Sequence, residues 1–455
     1  MRTHASTGST RQRGAATLVV VMILFFIISL VAAYTNRNLI FEQRTSSNQY
    51  RSTQALEAAE AGLEWAVTML NFGRIDTSCN KSASNTDGSF RGRYISTDPI
   101  TGKFTPVLNP AGTEFPTCVS NGSGWDCACP DPSASTPTLT PPAGTAVAPA
   151  FRVRLRAASG TAIPPVPKQP GVIWVDVVGC TRLDPVGAAN PCLSFAGQGT
   201  LNEGRVVVSS MLALGGSASG MPLAALTVRG DVALTGSGAF NGYNTGVGAS
   251  GLAIHASGTI LPTGLTRRGA PGAPEASTQA GGDSGLAPTD AGAFSTLISG
   301  YDRSFASIFN MRPESYQEQQ AAVFIDCSAG CNASTVYSNA IERNPGRPLW
   351  LNGNLNVDSS LGTADKPLLL VVHGEVTFST AAEINGLVYV RLPRPLGVST
   401  WTTSGTGRIN GAVVVDGDVV GTGNTTVVYD SAILQRVRYG SGSFVRVPGS
   451  WRDFQ

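Results

Sequence analysis

Charge is scarce in this chain of 455 residues, where Asp, Glu, Lys and Arg together make up 14% and the formal net charge is +2. A surface so poor in cations carries no basic stripe to meet phosphates, which excludes a nucleic-acid partner. Histidine is scarcer still: beyond the first apolar segment there are only His255 and His373, each embedded in a Gly-rich β run and neither in a recognised spacing with Ser, Cys or acid. No phosphate-binding loop, dinucleotide fingerprint or calcium-loop spacing is present either. With no positioned base or activated nucleophile, the sequence points away from an enzyme and implies no cofactor. Asp326, Asp358, Asp416 and Asp418 are the acids that could pair as glycosidase or lyase carboxylates. Asp is common at turns for its own backbone hydrogen bonds, and turns are the simpler reading of all four.

Metal ligation also lacks its usual spacing. The eight cysteines are Cys79, Cys118, Cys127, Cys129, Cys180, Cys192, Cys327 and Cys331. Neither Cys127-Ala128-Cys129 nor Cys327 with Cys331 has a second ligand pair at finger spacing, so disulfides in an oxidising compartment outweigh zinc. Cys180 with Cys192, and Cys327 with Cys331, are close enough to close small loops. The remaining four allow three connectivities that sequence leaves open.

What is abundant is Gly (53) and Pro (28), set between short Val- and Leu-rich runs in the manner of β architectures with many turns. The length allows two or three domains with real cores. From Asn71 to about Ala150 periodicity is lost, with four cysteines and a Pro/Thr/Ser/Ala-rich stretch from Pro130 to Pro149. Then Phe151-Arg152-Val153-Arg154-Leu155-Arg156 alternates strictly, Val172 to Val178 forms an apolar strand around Trp174, and Arg205 to Leu214 a third. The alternating arginines read most simply as a solvated face.

Farther on, a pattern of apolar, any, Gly, polar, apolar recurs as Val228-Arg229-Gly230-Asp231-Val232, Leu351-Asn352-Gly353-Asn354-Leu355, Val372-His373-Gly374-Glu375-Val376 and Val415-Asp416-Gly417-Asp418-Val419. Ile384-Asn385-Gly386 and Ile409-Asn410-Gly411 add a second echo. Short β runs with Gly turns, recurring at about 20 residues or a multiple of it, suggest the rungs of a β-solenoid, with a β-sandwich as the competing reading. A Gly/Pro/Ala-rich stretch over 261–293 reads as a long loop, and helices are expected over Thr296 to Phe309 and Glu314 to Ala322.

The N-terminus is defined by what is missing from it. Residues 1–14 contain Arg2, Arg11 and Arg13 and no acid, and Ala15 to Ala33 has only Thr17 and Ser29 as polar members. Nineteen residues reach about 28 Å at 1.5 Å per residue, close to the hydrocarbon thickness, and the basic flank holds the N-terminus in the cytoplasm. A cleaved signal peptide is the alternative, since Val31-Ala32-Ala33 is a tolerable cleavage site. Against it, the apolar run exceeds a usual signal core, and no Gly or Pro interrupts the chain from Ala15 to Ala61. Leu56, Ala59, Leu63, Val67 and Leu70 then recur at helical spacing among Gln54, Glu57, Glu60 and Glu64, so one helix is predicted from about Ala15 to about Leu70.

Two blocks of this segment carry a family resemblance. Arg11-Gln12-Arg13-Gly14-Ala15-Ala16-Thr17-Leu18 resembles a class III prepilin leader, which prepilin peptidase cuts after the Gly. Ala55-Leu56-Glu57-Ala58-Ala59-Glu60-Ala61-Gly62-Leu63 is similar to the stretch that marks the PilX N-terminal family of type IV pilus minor pilins. The resemblance covers roughly the first 70 residues. It implies Gly14 as the last leader residue, Ala15 as the first mature one, an inner-membrane start, and packing against other minor and major pilins through the helix. One departure stands out: most pilins have Glu as the fifth mature residue, and here that position is Val19. A carboxylate in the bilayer persists only with a partner charge. Its absence resembles the tip subunit of the type II secretion pseudopilus and suits a subunit with nothing above it.

The expected fold is therefore α+β and mostly β: leader 1–14, membrane segment 15–33, long helix 15–72, Cys- and Pro-rich loop region 73–150, antiparallel β region 151–215 and a solenoid-like domain 216–455. The expected function is a minor pilin for type IV pilus assembly, displayed at the cell surface. Alternatives are a pseudopilin-like tip subunit and a membrane-anchored, glycan-binding β-solenoid or enzyme.

Overall fold

In the computed structural model of the chain, the described residues are 13–107, 116–131, 139, 148–158, 170–182, 195, 204–216, 218–234, 240–245, 251–261, 265–268, 276–278, 300–391, 400–403, 406–421 and 424–453. The long helix is present as α1, Arg13–Leu70, unbroken through its 58 residues. It ends where Phe72 and Gly73 follow, and Asn71 ties its last turn into the body by donating through Nδ2 to the Phe444 carbonyl and accepting from the Phe444 amide.

The upper half of α1 lies on a six-stranded antiparallel sheet. Its strands run in the order Ser443–Arg446, Arg205–Gly215, Val172–Cys180, Ala150–Ala157, Thr117–Ser120, Trp125–Ala128. The three strands expected from alternation pair in full register, with Val153 opposite Val177 and Val177 opposite Val208. Because side chains alternate across a strand, Ile173, Val175 and Val177 join the core beneath α1, while Trp174, Asp176 and Val178 point to the other face.

The face away from the helix corrects the reading of the arginines. Arg154 and Arg156 both bind the carboxylate of Asp176, which is fully buried, and Ser209 donates to it at 2.8 Å. Arg152 donates to Thr117 Oγ1 at 3.0 Å. The pattern of alternation was sound, but it could not show that the neighbouring strand sets an acid opposite Arg154.

The region 73–150 is not loop throughout. Two of its segments, Thr117–Ser120 and Trp125–Ala128, complete the sheet, and Ile95–Thr97 pairs with Phe104–Pro106 as a small hairpin. Cys79 bonds to Cys129 and Cys118 to Cys127, while Cys327 bonds to Cys331. Cys180 is also disulfide-bonded, whereas Cys192 lies outside the described residues. The Cys79–Cys129 bridge spans 50 residues of the chain. Closing a loop of that size removes unfolded-state entropy worth about 4 kcal/mol. A Cys79→Ser, Cys129→Ser double variant is accordingly expected to lose several degrees of thermal midpoint in differential scanning fluorimetry, and more than loss of the shorter Cys118–Cys127 bridge.

Beyond Gly215 the strands become parallel and stack as coils. One buried column climbs through Leu349, Leu370, Val388, Val413, Leu226 and Ile254, each in register with the next. The repeated Gly-centred pattern lies where each coil turns from one face to the next: Leu351 stacks on Val372 and Leu355 on Val376, and likewise Val415 on Val228 and Val419 on Val232. In the second echo, Gly386 and Gly411 stack with φ near 152° and 130°, and a Cβ on either would stand 2.0 Å from a neighbouring coil's backbone oxygen. Only Gly fits there.

Two features of the stack depart from expectation. Its coils are not in chain order: Leu226–Val228 stacks on Arg408–Val415 and is followed outward by Ile254–Ala256 and Ala276–Thr278, so the chain enters mid-stack and returns from the far end. At that junction Asp416 is buried and paired with Arg229 at 2.5 Å, so it is a clasp between non-consecutive coils rather than a turn residue. Asp418, Asp326 and Asp358 do accept backbone amides, from Asp231, Ser328 and Ser334 respectively.

The stack also does not run to the C-terminus. The helix Ser431–Gly440 packs on it through Leu434 and Val437, after which Ser443–Arg446 rejoins the antiparallel sheet beside Arg205–Gly215. The parallel stack is therefore an insertion between two adjacent strands of the sheet, not a terminal domain 216–455. Two short strands, Leu265–Arg268 and Ala276–Thr278, fall within the expected loop 261–293, most of which lies outside the described residues. The expected helices are observed as Gly300–Phe309 and Pro313–Glu318.

Candidate assembly helix

The two halves of α1 have different surroundings. From Leu18 to Val31 every large apolar side chain is exposed, and the helix is long and apolar enough to cross a membrane. Leaving so many Leu, Ile, Val and Phe side chains in water is untenable at roughly 1.5–3 kcal/mol each, so this half belongs in lipid or against other helices.

The upper half is seated by small residues. Ala55, Ala59 and Ala66 are fully buried, with Leu63 and Leu70 beside them. The sheet answers with glycine: a Cβ on Gly179 would lie 2.2 Å from the Ala55 carbonyl oxygen and 2.5 Å from the Ala59 amide nitrogen. On the helix side, a Cβ on Gly62 would meet Phe151 and Val177 at 2.7 Å. Lower down, Gly204 stands against the Arg51 backbone. Gly62 is a poor helix former, tolerated here because the backbone must come this close. Periodicity found the buried face of α1. The seat on Gly179 and Gly204, which lie over a hundred residues away, left no sequence signal.

The other candidate residues are scattered. Gly14 and Ala15 lie in the first turn of α1, far along the helix from the body. His255 is buried in the stack, and His373 is half-buried with Nδ1 3.3 Å from Asn352 Oδ1. Burial and the Arg391 charge push the His373 imidazole below its usual range. Among the described residues no cluster of three His, Cys, Asp or Glu is placed to hold a metal ion.

A long helix, apolar and bare at one end and laid across an antiparallel sheet at the other, is the architecture of a pilin-like subunit. Residues 13–64 match the family model described as PilX N-terminal, which covers the bare half and most of the seated half. The N-terminal segment of this chain is thus similar to that of type IV pilin-like proteins. The crystal structure of the competence-associated pilin ComZ from Thermus thermophilus is similar at 12% identity, over 88% of this chain and 97% of that one, with a TM-score of 0.23. No curated protein matches the sequence significantly.

Proposed function

We propose that this chain is a minor pilin of a type IV pilus assembly system. It is inserted in the inner membrane with its N-terminus cytoplasmic, processed by prepilin peptidase between Gly14 and Ala15, and built through α1 into a fibre that displays the β-rich body outside the cell. The observation that carries this reading is the continuity of α1: the segment bare enough to need lipid or neighbouring helices is rigidly joined to the body it would position. Val19 supports a place at the fibre end, because no carboxylate is available there to pair with a neighbour's N-terminal amine.

Mass spectrometry of the N-terminus, on protein from sheared fibres, tests the proposal. A start at Ala15 is expected. A start at Tyr34 would mark an ordinary cleaved signal and overturn it. Gly14→Ala is expected to leave the leader attached, visible as an unprocessed intact mass, and to keep the protein out of fibres. Normal processing of that variant would sink the site assignment.

A further inference from the structure

Between the membrane segment and the body, α1 runs exposed over residues 34–50, and its charges there are sorted by side. At about 100° per residue, Tyr34, Arg37, Phe41 and Arg44 fall within about 80° of one another, whereas the single acid of this stretch, Glu42, lies about 140–160° from the two arginines. The cationic side carries a groove of about 470 Å³ lined by Tyr34, Arg37, Asn38, Ile40, Phe41 and Arg44. Both arginines are exposed, and neither forms a salt bridge among the described residues. Beside them Tyr34 and Phe41 are 65% and 71% exposed, a poor arrangement for two aromatic rings in water.

Height above the bilayer decides what this side can meet. With the hydrocarbon ending near Ala33, Arg37 stands about 6 Å above it and Arg44 about 16 Å, while the headgroup layer is about 5–7 Å deep on each side. Helical side chains tilt toward the N-terminus, here toward the lipid, and long cationic side chains snorkel to the headgroups, so the charge of Arg44 acts within about one Debye length of them. Tyr34 lies at the level where aromatic rings settle in membranes. Thr35, beside it, donates its hydroxyl to the Val31 carbonyl at 2.7 Å and so needs no water there. Ala55, which meets the sheet, lies about five turns above Arg37 on the same side, so the body is seated on the side of α1 that carries the groove.

We propose that this groove binds the headgroup of an anionic phospholipid in the leaflet that faces the body. The phosphodiester accepts hydrogen bonds from Arg37, whose planar fork suits it, Arg44 adds attraction from above, Tyr34 meets the glycerol backbone and Phe41 closes the groove over the headgroup. A zwitterionic headgroup offers the same phosphate but adds a cation, which two arginines with no acid on their side repel, so the site selects lipid of net negative charge. Charge complementarity and continuity with the membrane segment favour a lipid over a soluble anion, because a groove opening onto the headgroup layer meets phosphates there at far higher local concentration. The inference rests on the membrane-inserted pilin reading of α1 and adds a lipid to the contacts made before incorporation into a fibre.

The full-length chain is reconstituted in nanodiscs of equimolar phosphatidylglycerol and phosphatidylcholine, with photoreactive benzoylphenylalanine replacing either Asn38 in the groove or Leu39 on the opposite side, and lipid adducts are read by mass spectrometry. Phosphatidylglycerol adducts from the Asn38 position are expected to exceed phosphatidylcholine adducts about fivefold, and from the Leu39 position to match them. Arg37→Gln with Arg44→Gln should bring the first ratio down to the second. Arg51→Gln, which removes a charge on the same side but about 27 Å above Ala33, should leave it unchanged, and excess soluble glycerol phosphate should not displace the lipid. Equal ratios at the two positions, a ratio indifferent to the double substitution or lowered as much by Arg51→Gln, or displacement by the soluble phosphate would overturn the headgroup site. The pilin reading fails separately: a mature N-terminus at Tyr34 overturns it, whereas bulk lipid ratios in a chain whose mature form starts at Ala15 overturn the lipid site alone.

Discussion

Gly179→Val is expected to unseat the upper half of α1 and to destabilise the body by about 3 kcal/mol or more. The branched side chain would enter the space already taken by the Ala55 carbonyl oxygen and the Ala59 backbone, both parts of a helix that cannot yield locally without losing its hydrogen bonds. Relief requires the whole helix to move outward, which opens the contacts of Leu63, Ala66 and Leu70 with Phe151, Val175 and Val177. The full chain in detergent should show a thermal midpoint lower by roughly 5–10 °C, together with new proteolytic cleavage between about residues 50 and 70. Gly88→Ala is the matched control, because a Cβ there meets nothing within 4 Å. A Gly179→Val midpoint equal to that of the control would show that the close approach is not needed.

Asp176→Ala is expected to cost about 3–5 kcal/mol, because it leaves Arg154 and Arg156 facing each other with no shared anion. The pH dependence carries a sign that distinguishes this aspartate from the other buried one. At Asp176, burial alone would raise the carboxyl, but hydrogen bonds from Arg156 and Arg154 outweigh it and hold it below its ordinary value. Its contribution is therefore present above the unfolded carboxylate range near pH 4 and is lost as pH falls below it. At Asp416, burial dominates the opposing pull of Arg229 and Arg391 and pushes the carboxyl up to about 7. The folded chain then binds this proton more readily than the unfolded one between about pH 4 and pH 7, so stability rises on acidification across that window. Denaturant midpoints measured from pH 8 to pH 3 should climb and then fall. Asp416→Asn is expected to flatten the climb and Asp176→Asn the fall, and a wild-type profile without a maximum would contradict both assignments.

The long helix, its apolar half and its buried face were legible in the sequence because each depends on residues three and four apart, a spacing the α-helix itself imposes. The antiparallel strands and the coils of the stack were legible for a similar reason: every coil must place Gly and a branched apolar residue at the same corner, so the coils came to resemble one another. What tertiary structure alone decided is which of these like pieces meet. Coils with interchangeable corners can stack in any order, and nothing near Leu226 says that Val413, almost two hundred residues later, will be its neighbour. Nor could the short run Ser443–Arg446 be known to close the sheet beside Arg205–Gly215 and so turn the stack into an insertion. Asp176, among apolar neighbours, gave no sign of the two arginines that hold it. The local chain fixes periodicity and turn chemistry, whereas distant pairings are set by the free energy of burying one surface on another, which no single segment encodes.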